Sequence, residues 1–187
     1  MGVCAGGLVL LALAGCGGAA ERSRSAAPRA PFSWLHPQAP PPGWRLARAA
    51  SGATLSYPRR WRALSGDRGS VSAALRAPGG RYLGYLNLTP RQPGERREDW
   101  ASFRVRHNRA EGDRAVRTIA SARALHFRGG DGSCVRDAYT TTTGARYVEI
   151  ACLIEGRHPS VMVAAAPPGQ WPALSGTLER AVSAAGV

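Results

Sequence analysis

Apolar residues along this chain alternate over short runs and twice switch to helical spacing. Trp44–Arg48 and Ala53–Tyr57 read as two strands around the turn Ser51-Gly52, and Pro58 closes the second. Ser70–Leu75 and Tyr82–Leu88, separated by Pro78-Gly79-Gly80, form another hairpin-like pair. Between Glu95 and Glu111 the period changes. Trp100, Phe103 and His107 fall on one helical face with arginines on the others, and Gly112 follows as a stop. Thr118–Arg128 alternates as a strand and leads to a turn at Gly129-Gly130-Asp131-Gly132. Strands over Cys134–Thr140 and Arg146–Cys152 bracket a turn at Thr142-Thr143-Gly144, and Ser160–Ala165 reads as a buried strand. Pro167-Pro168-Gly169 breaks that strand. Trp171, Leu174, Leu178, Ala181 and Val182 then share the face of a last helix, stopped by Gly186. The order strands, helix, strands, helix predicts the α+β class, with a mainly antiparallel β-sheet flanked by helices.

The N-terminus has a different pattern. No charge occurs from Val3 to Ala14, and Leu8, Val9, Leu10, Leu11 and Leu13 form a short apolar run. A membrane-spanning helix needs about 20 apolar residues, so this run has the size of a signal-peptide core. It closes on Leu13-Ala14-Gly15-Cys16, which resembles the lipobox of bacterial lipoproteins. That resemblance implies a signal peptide over residues 1–15, a lipidated Cys16, and a chain held at the extracytoplasmic face of the cell membrane. An export signal normally opens with basic residues, yet none precedes Arg22. Either the Met1 amine supplies the charge or the true start lies upstream. Residues 16–42 are rich in Gly, Ala, Ser, Arg and Pro, ending in Ala39-Pro40-Pro41-Pro42, and read as a flexible tether after the lipidated cysteine. The aromatic island Pro31-Phe32-Ser33-Trp34-Leu35 is expected to stay loosely packed within it. Residues 43–187 are expected to form a single α+β domain.

With 187 residues, the chain has room for one ordinary domain beyond signal and tether. It carries 25 basic residues against 12 acidic ones, a formal charge of +13, and every basic residue is Arg. GC-rich coding accounts for much of the Arg, Ala, Gly and Pro. The charge nevertheless attracts anionic head groups and acidic envelope polymers. Nucleic acid is not expected as a partner, because the arginines are scattered and an exported chain meets little of it. The absence of lysine excludes a P-loop, a Schiff-base lysine and a Ser-x-x-Lys acylation centre. If Cys4 leaves with the signal peptide and Cys16 carries lipid, Cys134 and Cys152 remain as an even pair. In an oxidising compartment such a pair forms a disulfide. A hairpin turning at Thr142-Thr143-Gly144 sets the two opposite each other, and the chain-entropy gain for so short a loop is about 3 kcal/mol. No Cys-x-x-Cys is present and no His flanks either cysteine at ligand spacing, which argues against a redox or metal pair.

The stretch Ala53-Thr54-Leu55-Ser56-Tyr57-Pro58-Arg59-Arg60-Trp61 is similar to the opening strand and Tyr-Pro-x-x-Trp motif of the Mog1/PsbP-like fold. That fold also ends with a strand followed by a helix, as Val161 to Ala185 does here. The resemblance implies an α/β/α sandwich. Many bacterial members are small exported lipoproteins without known activity. PsbP proteins assist photosystem II and Mog1 binds a small GTPase, but the residues that serve those roles have no match in this sequence. Tyr57, Pro58 and Trp61 therefore carry a structural expectation: Pro58 ends the strand and the two rings bury against the sheet.

Catalytic motifs are lacking. There is no Gly-x-Ser-x-Gly, no His-Glu-x-x-His and no phosphate-binding glycine loop. Gly129-Gly130-Asp131-Gly132-Ser133 suits a turn, and Asp131 and Asp137 lack the ligand density of a calcium loop. The histidines at 36, 107, 126 and 158 are isolated in sequence, with His126 nearest the disulfide hairpin. Pairing Cys134 with Cys152 sets Asp137 opposite Glu149. Facing carboxylates can work as an acid–base dyad, but the nearby Arg136 and Arg146 favour a solvated charge ladder on an exposed face. No catalytic, cofactor or metal residue is therefore expected. The leading expectation is a non-enzymatic, lipid-anchored module that binds an envelope protein or an anionic envelope polymer. A carrier of a small hydrophobic ligand or lipid is the alternative, and a hydrolase with a site assembled only in three dimensions is the third.

Overall fold

The computed structural model describes residues 1–2 and 30–187, so the lipobox and Cys16 lie outside the described residues. The described residues form nine strands and two helices, in the order β1 Arg45–Arg48, β2 Thr54–Tyr57, β3 Arg62–Leu64, β4 Val71–Arg76, β5 Tyr82–Pro90, α1 Trp100–Ala110, β6 Arg114–Phe127, β7 Gly130–Thr140, β8 Arg146–Gly156, β9 Ser160–Ala166 and α2 Trp171–Ser183. A single 3₁₀ turn, Arg97–Asp99, leads into α1. Seven strands form one antiparallel sheet in the order β3-β4-β5-β9-β8-β7-β6, while β1 and β2 pair as a separate hairpin. The fold is α+β, with helices on both faces of the sheet.

One face holds the main core. In α2, Leu174, Leu178, Ala181 and Val182 recur at helical spacing and are buried. They pack with Leu86 and Leu88 of β5, Ile150 and Cys152 of β8, and Met162, Ala164 and Ala166 of β9. The β1–β2 hairpin adds Leu55 and Tyr57 to this layer, and Trp61 follows it. The Tyr-Pro-x-x-Trp motif is structural as expected: Tyr57 is 5 % and Trp61 1 % exposed. Trp61 lies flat enough against β5 that a Cβ at Gly84 would come within 2.8 Å of its ring. Glycine at 84 is thus a packing requirement of the motif.

The opposite face is covered only in part. There α1 lays Trp100 over Val135, Ala151, Leu153 and Val161, and the indole nitrogen donates to the Ala151 carbonyl at 2.9 Å. The helix is rotated from the face expected from its pattern. Trp100, Arg104 and Asn108 form the buried stripe, whereas Phe103 and His107 stack beside it, with ring centroids at 5.5 Å and 5.9 Å. Arg104 points toward the sheet because Glu149 meets it there, and Asn108 is buried one turn further on.

Three further boundaries differ from expectation. The short strand β3 is too brief and too polar to show a period. The turn expected over Gly129–Gly132 shrinks to the two residues Arg128-Gly129, and Gly130 to Gly132 join β7. These glycines belong in the strand because backbone comes close: a Cβ at Gly132 would sit 2.5 Å from the Leu153 carbonyl oxygen. The aromatic island of the expected tether is also packed. Phe32 is 6 % exposed and belongs to the main core, Trp34 and Leu35 pack against it, and the Gln38 amide donates to the Ser183 carbonyl at 3.2 Å. Two large rings in this otherwise polar stretch bury because apolar area is favourable to remove from water wherever a groove admits it. The packed body therefore reaches upstream of Trp44. No helix of the described residues is long and apolar enough to cross a membrane.

Candidate functional site

Strand pairing brings Cys134 directly opposite Cys152, and the disulfide is formed, with an S–S distance of 2.07 Å. The same register sets Asp137 opposite Glu149 and Tyr139 opposite Tyr147. Side chains alternate along strands, so Val135, Asp137 and Tyr139 of β7 share the α1 face with Tyr147, Glu149 and Ala151 of β8. Ala165 of β9 pairs with Glu149 on one side and with Tyr85 of β5 on the other. One line across the sheet thus reads Tyr85, Ala165, Glu149, Asp137. It marks the border between the half of this face under α1 and the half left open.

The carboxylates at this border are not an exposed ladder. Asp137 is fully buried and Glu149 is 2 % exposed, because the C-terminal half of α1 lies over them. Their cation is also not Arg136 or Arg146. Arg104 of α1, itself buried, pairs with Glu149 Oε1, and the Tyr139 hydroxyl donates to Glu149 Oε2 at 3.0 Å. Arg136 points to the opposite face, where it lines a cleft with Glu179. Both Asp137 carboxyl oxygens lack a hydrogen-bond partner among the described residues.

This arrangement fixes the protonation of the cluster. Burial first, and then the charge of Glu149, push the Asp137 carboxyl up to about 8, with Arg104 pulling the other way. Burial opposes the charge on Arg104, but the Glu149 carboxylate and its hydrogen bond outweigh it and hold the guanidinium charged. Burial and the adjacent Glu149 raise the Tyr139 phenol, which stays a donor. At neutral pH the cluster therefore contains Arg104 as a cation, Glu149 as its anion and Asp137 as a neutral acid. One positive and one negative charge cancel, which is the cheap state for a dry site. Both carboxylates are buried, and the Arg104–Glu149 pair ties α1 to the sheet.

Beside the cluster, the open half of the face carries a groove of about 330 Å³. Tyr82 and Tyr85 from β5 form one wall, Tyr139 and Tyr147 from β7 and β8 the other, and Ala165 of β9 the floor. A small residue between four large ones makes the concavity. The walls are braced: the Arg76 guanidinium lies 4.8 Å over the Tyr82 ring and donates to its hydroxyl at 2.8 Å. Tyr82 and Tyr85 meet edge to face at 6.0 Å.

Two other places complete the picture. His126 and Asp131 are 2.7 Å apart beside the β6–β7 turn, and both are exposed. A cleft of about 440 Å³ lies under Phe32 and Trp34, against Ala120, Ile150, Arg136 and Glu179. Among the described residues, no three His, Cys, Asp or Glu side chains are placed to hold a metal ion.

No protein-family model matches the chain, and no curated protein matches it in sequence. Solved structures do share its architecture. The solution structure of cyanobacterial PsbP (CyanoP) from Synechocystis sp. PCC 6803 superposes with a TM-score of 0.58 at 14 % identity, covering 78 % of this chain and 92 % of that one. The fold is PsbP-like. Weaker overlaps occur with PA94, a Pseudomonas aeruginosa protein of unknown function (TM-score 0.49, 12 % identity, 75 % of this chain and 94 % of that one). A Bacteroides thetaiotaomicron protein overlaps at TM-score 0.48 and 11 % identity, covering 76 % of this chain and 48 % of that longer one. At 14 % identity, the CyanoP superposition speaks for the fold alone.

Proposed function

We propose that this chain is a lipid-anchored protein of the bacterial cell envelope whose PsbP-like domain is a non-enzymatic binding module for another envelope component. The observation that carries the binding role is the half-open sheet face, where a braced tyrosine groove stands beside a buried, charge-balanced cluster. Rigid aromatic walls on regular strands suit recognition, since tyrosines bury area at small entropic cost. The carboxylates that sequence pairing offered as an acid–base dyad are sealed under α1, which supports a role without catalysis. The anchor rests on Leu13-Ala14-Gly15-Cys16, and the Cys134–Cys152 disulfide suits the oxidising side of a membrane.

The test is affinity capture from detergent-solubilised membranes of the native cell, using wild type, Cys16→Ala and a Tyr85→Ala/Tyr147→Ala groove variant. Wild type is expected to fractionate with membranes and to retain a component that the groove variant loses, and Cys16→Ala to be released. Equal retention by wild type and the groove variant would remove the binding role from this face.

A second reading has its own observation. The cleft under Phe32 and Trp34 joins apolar walls to the Arg136 and Glu179 side chains, which favours a carrier of a small amphipathic molecule. Co-purification of such a molecule, lost in Ala120→Trp, is its measurement.

A further inference from the structure

We infer that the tyrosine groove takes the sugar rings of an anionic glycan, an inference that rests on the reading of the domain as a binding module. The walls come from β5 on one side and β7 and β8 on the other, with β9 between. Strands two places apart are separated by roughly 10 Å, the width of a slot for one six-membered ring lying over Ala165. The walls offer ring faces for the C–H surfaces of a sugar, while the hydroxyls of Tyr82, Tyr85 and Tyr139 are turned to Arg76, Ser72 and Glu149.

The geometry disfavours a peptide. The groove runs over the face of the sheet, and the strands beneath it, β5, β9, β8 and β7, are each paired on both sides. An extended peptide therefore finds no free backbone N–H or C=O to pair with, as strand addition requires. An amphipathic helix lays anchors from successive turns along an extended groove, whereas this one is bounded by four tyrosines over a single alanine. A sugar brings its own donors and acceptors and needs neither.

Charge selects the kind of glycan. Arg76 stands at the rim, stacked on Tyr82 and exposed, and the whole chain carries +13. The buried cluster adds little net charge, because Asp137 is neutral and Glu149 is matched by Arg104. Arg76 at the rim attracts carboxylated sugars and disfavours cationic ligands in an otherwise suitable aromatic cage, against Asp67 as the acidic group that acts on Tyr85 from outside the buried cluster.

The experiment is calorimetric titration of the full, disulfide-bonded chain in detergent. The probes are galacturonate, glucuronate-containing and muramic-acid-containing oligosaccharides, with neutral glucose oligomers of equal length alongside. Saturable binding of at least one acidic oligomer is expected, weakening as salt rises. Tyr85→Ala and Tyr147→Ala should each lower the affinity at least tenfold, and Arg76→Gln should flatten the salt dependence. Tyr147→Phe keeps the ring and checks that folding is intact, and should cost less than Tyr147→Ala. Equal affinity in the tyrosine variants would reduce the interaction to general basic charge and overturn the inference. Equal affinity for neutral oligomers, or no tyrosine-dependent binding across the panel, would also overturn it. If the groove variant then still loses an envelope protein in the capture experiment, the binding module stands and only its ligand class is wrong.

Discussion

Asp137 sits fully buried, its carboxyl without a hydrogen-bond partner among the described residues, opposite Glu149 on the adjacent strand while Arg104 is committed to Glu149. The energetic consequence has a definite sign. An aspartate in an unfolded chain titrates near about 3.9, whereas in the fold this one is held up to about 8. The folded state thus binds a proton that the unfolded state releases. Stability from this residue is fully present below about pH 4, is lost as pH rises toward about 8, and is flat above. The slope is at most about 1.4 kcal/mol per pH unit. Chemical denaturation from pH 4.5 to 9 should show that decline in wild type and a flatter profile in Asp137→Asn. The surrounding groups, Arg104 from α1, Tyr139 on the same strand, Glu149 opposite and Asp113 ahead of β6, remain in place in that variant. Arg104 itself belongs to a buried pair. Arg104→Met should cost about 3–5 kcal/mol by leaving Glu149 unmatched, and Arg104→Met/Glu149→Leu should recover much of it. Denaturant midpoints of the two variants at pH 7 measure the difference.

Individual elements show why some parts were legible in the amino-acid pattern and others were not. The β7–β8 hairpin was readable because its turn lies midway between Cys134 and Cys152, so the disulfide and the 137–149 register follow from counting. Removing that cross-link as Cys134→Ala/Cys152→Ala should lower stability by about 2–4 kcal/mol, read as a shift in denaturant midpoint. Helix α1 is legible as a helix but not in its rotation, since Arg104 looks like a solvent-facing residue until Glu149 is known to meet it. The spacing Trp100, Arg104, Asn108 was present as the signal, yet its polarity hid it. Phe32 and Trp34 read as part of a tether because proline and small residues surround them, and composition averages over the two rings that pack. Phe32→Ala should cost about 3 kcal/mol, as a core phenylalanine does, whereas a free tether would leave the melting temperature unchanged. Gly84→Ala tests the seat of Trp61, and overpacking there should cost about 1–3 kcal/mol.

Over the whole molecule, the groove illustrates what sequence order conceals. Its four tyrosines stand on three strands, and they meet only because β9 inserts between β5 and β8. Nothing local to Tyr82 or Tyr147 announces that neighbour. The PsbP-like architecture, by contrast, was foreshadowed by Tyr57-Pro58 and Trp61, whose rings fill the core beside α2. The account of the molecule as an anchored envelope module depends most on its N-terminus. Intact-mass analysis of the protein taken from native membranes, without reduction, tests that claim most directly. The expected mass is that of a chain beginning at Cys16, heavier by acyl groups on its N-terminal cysteine and lighter by two hydrogens for the Cys134–Cys152 disulfide. An unacylated chain that retains residues 1–15 would contradict it.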